Sequence, residues 1–170
     1  MRIALVQQHA TDDRNENLQR GLLALEEAAV AGANLVCYAE LAFEPFYPQR
    51  PVTGDPRSLA QEVPGPVTEA FSERAASLGV VLILNLYERD GERCFDCSPV
   101  IDADGSLLGR VRMVHITDYP CFHEQGYYTP GDTVEGSLDA QYTWGEPVAG
   151  ARVQLVAARM VDKLDTPMGP

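Results

Sequence analysis

Along the first 113 residues the apolar positions switch between short continuous runs and helical spacing. Ile3, Leu5 and Val6 sit in a run over residues 2–8 that predicts a buried first strand. Leu18, Leu22, Leu25 and Ala29 then recur every three or four residues, the period of an amphipathic helix. A helix over 15–31 follows, capped by Asp12 or Asp13 and stopped by Gly32. Residues 34–39 return to an apolar run, a second buried strand with Glu40 at its end, and six prolines make 43–66 irregular surface. Helical spacing resumes at Val67, Ala70, Phe71, Ala75 and Leu78, with Gly79 as the stop. The most apolar stretch, VVLILNLY at 80–87, predicts a third strand. Polar turns at 89–92 and 103–105 then set off strands at 94–102 and 106–113.

This order of strand, helix, strand, helix and three strands indicates an α/β layered sandwich. Its chemistry belongs where strands end, because loops there vary on a rigid scaffold. Beyond Asp132 the pattern is lost. Residues 136–150 show no clear period, 150–162 read as one strand or a short helix, and 166–170 read as a disordered end. The chain therefore divides into residues 1–132 and a divergent segment, 133–170, whose fold is open.

Charge narrows the partners. The net charge is −12, with one lysine, Lys163, against twelve arginines. No basic patch offsets phosphate repulsion, which excludes nucleic acid and anionic membrane surfaces. No run of about 18 apolar residues spans a membrane. The opening MRIALVQQ turns polar too soon for a signal peptide, so the cytoplasm is the expected compartment. There Cys37, Cys94, Cys97 and Cys121 are free thiols. Cys37 reads as a small buried hydrophobe. Cys94 and Cys97 would point to opposite faces of a strand, with no second ligand pair, so neither a metal nor a cofactor is expected.

Chemistry concentrates in RVRMVHITDYPCFHEQGYYTPGD, residues 110–132, which begins as a strand and becomes an aromatic-rich loop. Together with CYAELAFEPFYP at 37–48, it resembles the nitrilase, or carbon-nitrogen hydrolase, superfamily. Glu40 falls on that family's first glutamate. His115, Ile116, Asp118, Glu124, Tyr127, Tyr128, Gly131 and Asp132 follow its second motif, and HEQGYYTPGD is most similar to the N-carbamoyl amine amidohydrolase and aliphatic amidase types.

The resemblance implies an αββα layered sandwich, incomplete at the C-terminal side. It also implies hydrolysis of a small amide, nitrile or N-carbamoyl compound without a cofactor. A cysteine attacks, a glutamate is the general base, a lysine stabilises the oxyanion and a second glutamate positions the site. Glu40 takes the base position and Glu124 the second glutamate, with His115 supporting the loop and Tyr127 walling the pocket.

Two positions depart from the family pattern. The lysine position is Met113, which has neither charge nor donor, while the adjacent Arg112 would face the other side of the sheet. The nucleophile position, in VQLVAARMVD, falls on Ala158 or Arg159. Cys121, three residues before Glu124, is the alternative thiol. These departures predict impaired catalysis. The alternative is a non-catalytic truncated or pseudoenzyme form that binds a ligand or assembles. A half-sandwich would expose apolar sheet, so a homo-oligomer is expected.

Overall fold

Strands β1 (Ile3–Val6), β2 (Leu35–Tyr38) and β3 (Val81–Ile83) lie side by side and parallel. Parallel neighbours need crossovers, and helices α1 (Arg14–Val30) and α2 (Pro66–Leu78) supply them. The computed structural model describes residues 1–132. The expectations for 133–170, including Ala158 and Arg159, lie outside the described residues.

Of the two candidate caps, Asp13 starts α1. Its carboxylate accepts the Asn15 and Glu16 amides at 3.0 Å, satisfying two of the helix's orphan donors. Helix α2 begins at Pro66, whose missing N–H costs nothing in a first turn.

Strands β4 (Leu86–Asp90), β5 (Arg93–Ile101) and β6 (Leu107–Arg112) complete the sheet in antiparallel pairing. The single strand expected over 80–87 is divided. Strands β3 and β4 both pair with β5 in one unbroken register, from Leu82 opposite Ile101 to Asp90 opposite Arg93, and the division falls at Leu84 and Asn85. The polar turn expected over 89–92 shrinks to Gly91 and Glu92, because the ladder continues through Asp90 and Gly91 adopts φ 61°. The loop after β6 contains a small hairpin, β7 (Asp118–Tyr119) and β8 (Phe122–His123), turned by Pro120 and Cys121.

Both helices cover the same face of the sheet. Leu25 from α1 and Phe71 and Ala75 from α2 pack on Val36, Tyr38, Leu82, Leu84, Leu86, Cys97 and Ile101. Fully burying such a side chain is worth about 1.5–3 kcal/mol. The opposite face is covered unevenly. Over β4 and β5, the loops after β2 and β6 bury Tyr87 and Cys94 under Leu41, Tyr127 and Tyr128. At the β1 edge, Ile3 and Leu5 remain 52% and 81% exposed. Cys37, opposite Leu5 in the ladder, is half-buried rather than buried, because none of the described residues covers that part of the sheet. The described residues thus hold one helix layer and one sheet of the expected four layers. No helix among them is long and apolar enough to cross a membrane.

Candidate active site

Glu40 lies two residues past the end of β2 and opens a tight turn in which Leu41 adopts φ 45°. A left-handed conformation is strained for a leucine and persists only where its surroundings hold it. Here the Leu41 amide donates to Asn85 Oδ1 at 2.8 Å. Asn85 sits at the division between β3 and β4. Its Nδ2 donates to Asp96 Oδ1 at 2.6 Å and to Ser98 Oγ at 3.2 Å on β5. One side chain therefore ties the Glu40 turn to the middle of the antiparallel half of the sheet.

Three carboxyl groups gather at this point. Asp96 and Glu124 are buried, each 5% exposed. Glu40 is exposed as a residue, yet its carboxyl feels the charges of Asp96 and Glu124. Partial burial, then Asp96, then Glu124 push the Glu40 carboxyl up to about 7. Glu124 starts the short turn Glu124–Gly126 and accepts the Thr117 amide at 3.0 Å. Burial raises its pKa despite that bond, and Asp96 and Asp118 add to the rise. The Tyr128 hydroxyl, which is buried and has no hydrogen-bond partner, feels Asp96, Glu40 and Glu124.

The position expected to carry a cation carries none. Pairing of Cys97 with Arg112 sets Met113 opposite Asp96, and the Met113 amide donates to the Asp96 carbonyl at 2.9 Å. Arg112 turns to the other face. There it grips Glu88 with two bonds of 2.7 and 2.6 Å, reaches Asp90 at 2.8 Å and stacks over Phe95 at 3.9 Å. Glu88 is almost wholly buried and also pairs with Arg110 at 2.9 Å. Replacing Arg112 with methionine is expected to cost about 3 kcal/mol, the low end for breaking a buried pair, because Arg110 still reaches Glu88. Urea denaturation measures this, and a cost below about 1 kcal/mol would contradict the structural role.

The remaining sequence candidates scatter. Tyr127 is buried in an aromatic cluster with Tyr47, Tyr87 and Tyr128, and its hydroxyl donates to the Arg50 carbonyl at 3.1 Å. His115 is exposed. Cys121 is exposed at the tip of the β7–β8 turn, with φ 66°. A cavity of about 900 Å³ lined by His9, Thr11, Tyr47, Arg50 and Tyr127 does not include the carboxyl cluster. Among the described residues, no group of three or more His, Cys, Asp or Glu side chains is arranged to hold a metal ion.

Sequence reasoning missed Asn85 and Asp96. Each is a polar residue inside a strand run, in VVLILNLY and CFDCSPVI, and a polar side chain at such a position must find a buried partner.

A family model described as carbon-nitrogen hydrolase matches residues 2–157. A citrullinase of Francisella tularensis subsp. tularensis is 29% identical over 143 residues, covering 84% of this chain and 50% of that protein. An N-carbamoylputrescine amidase of Oryza sativa subsp. japonica is 35% identical over 141 residues, covering 82% and 46%. The crystal structure of a carbon-nitrogen hydrolase from Helicobacter pylori G27 superposes with a TM-score of 0.70 at 29% identity, covering 76% of this chain and 45% of that one. The chain spans about half the length of the curated relatives it matches.

Proposed function

The chain belongs to the carbon-nitrogen hydrolase family, and we propose that its site serves hydrolysis of a small amide, nitrile or N-carbamoyl compound. The relatives named as N-carbamoylputrescine amidases favour a carbamoyl compound within that class. The observation that supports this reading is the position of Glu40 just past a parallel strand, where its carboxyl feels the charge of Glu124 from a distant part of the chain. In this reading Glu40 is the general base and Glu124 holds the site in shape, with its carboxylate anchored on the Thr117 amide. His115 and Tyr127 support the loop. Met113 supplies no charge to a developing oxyanion, and loss of one oxyanion donor lowers a rate about 10²- to 10³-fold. Slow turnover is therefore the expectation, with Cys121 as the alternative thiol.

Ammonia release from a panel of small amides, nitriles and N-carbamoyl amines tests the reading with the 170-residue chain. Turnover supports it, and a folded chain that releases no ammonia sinks it. Two observations favour a second, non-catalytic reading as an assembly partner: Met113 at the lysine position and the exposed apolar residues Ile3 and Leu5. In that case the uncovered sheet drives self-association. Sedimentation of the chain and of an Ile3→Glu, Leu5→Glu variant decides it, because an oligomer through this face becomes a monomer in the variant.

A further inference from the structure

We propose that Asp96 is the positioning partner of Glu40, holding that carboxyl through one shared proton that balances the site's charge where position 113 offers no cation. The inference rests on the reading of Glu40 as the base, and it concerns Asp96 and Asn85, to which that reading assigns no role.

The geometry carries it in three steps. First, Asp96 is fixed from behind. Its Oδ1 accepts Asn85 Nδ2 at 2.6 Å, while Asn85 Oδ1 accepts the amide of Leu41, the residue after Glu40. The distance from Asp96 to the Glu40 turn is thus set by one rigid amide. Second, Asp96 Oδ2 is buried with no hydrogen-bond partner, on a residue that Asn85 ties to the Glu40 turn. Two carboxylates cannot hydrogen-bond to each other, since neither has a proton to donate, so a bond from Glu40 to this free oxygen requires one shared proton. Third, among the described residues the charged or titratable groups that act on Glu40 are Asp96 on β5, Glu124 on the turn after β8 and the Tyr128 phenol, and none of these is a cation. Met113 lies opposite Asp96, and Arg112 is committed to Glu88 and Asp90 on the other face. Like charges held this close favour retention of a proton.

The consequence for chemistry is a division of labour. With the proton in place Glu40 is an acid and cannot accept one from a nucleophile. Once the proton leaves, Glu40 becomes a base already aimed by Asn85 and Asp96. A cation at position 113 would release the proton at lower pH.

Carboxyl ¹³C NMR on the chain labelled in Glu and Asp side chains tests this without any substrate. Glu40 should titrate near 7, assigned by its disappearance in Glu40→Gln. In Asp96→Asn, which keeps the shape and offers Glu40 an amide donor, its proton affinity should fall at least tenfold. Met113→Lys should lower it in the same direction through charge alone, with Asp96 untouched. Glu40 titrating in the ordinary carboxylate range in the unaltered chain overturns the proposal, as does an unchanged midpoint in a folded Asp96→Asn. Because the readout is a bound proton, these results stand apart from the ammonia assay. A chain with the shifted titration and no turnover refutes the catalytic reading alone.

Discussion

Turnover of whichever amide, nitrile or carbamoyl compound the chain accepts is expected to fall about 10²- to 10⁴-fold when Glu40 is replaced by glutamine, the range that a positioned general base contributes. Glutamine keeps the size of the side chain and can donate to Asp96, so the turn at Leu41 should survive and the loss should reflect chemistry. Steady-state kinetics on the two proteins, with circular dichroism as the folding control, makes the comparison. Glu40→Gln activity above a tenth of the original would remove Glu40 from the base role.

The pH dependence has a definite sign. Glu40 is raised from 4.5 to about 7, so the rate should climb as pH rises through about 7 and the base form accumulates. Stability moves the opposite way. A carboxyl raised on folding contributes stability that is fully present below its unfolded value of 4.5 and is lost as pH rises through about 7. Thermal midpoints should therefore decline between pH 5 and pH 8, and the decline should be shallower in Glu40→Gln.

Replacing Phe71 with alanine is expected to destabilise the fold by about 3–5 kcal/mol. The ring is fully buried at the centre of the helix-covered face. It lies 4.9 Å from the Phe43 ring and meets Tyr38 edge-on at 5.4 Å, which adds aromatic contact to apolar burial. Gly21 of α1 is part of the same packing, since a Cβ there would come within 2.5 Å of Phe43 and 3.3 Å of Phe71. The site is enclosed by two helices and a sheet and cannot collapse cheaply around a lost ring, so the cavity term should be large. Urea denaturation gives the cost as a shift in midpoint at constant slope. A loss near 1 kcal/mol would mean that α2 packs far more loosely than these distances imply.

Local pattern alone determined much of this protein. The spacing of Leu18, Leu22 and Leu25, and of Phe71, Ala75 and Leu78, set both helices, because each faces a sheet with one apolar stripe. The strand runs were legible for the same reason, as was the opposite facing of Arg112 and Met113, since neighbouring residues on a strand point to opposite faces. The family was legible because Glu40 and the residues around Glu124 keep characteristic neighbours in sequence.

Only tertiary structure could decide the rest. The run at 80–87 reads as one strand because Asn85 is a single polar residue among apolar ones; its partners, Leu41 and Asp96, are brought to it by pairing of β2 with β3 and of β4 with β5. Tyr127 is packed among Tyr47 and Tyr87, rings that come from other parts of the chain. Cys121 and Glu124 are close in sequence, yet one lies at an exposed turn tip and the other in a buried cluster. Periodicity reports which face a residue takes within its own element. The link from the Glu40 turn through Asn85 to Asp96 depends on register between elements far apart in the chain, and register is set by the packing of the whole sheet.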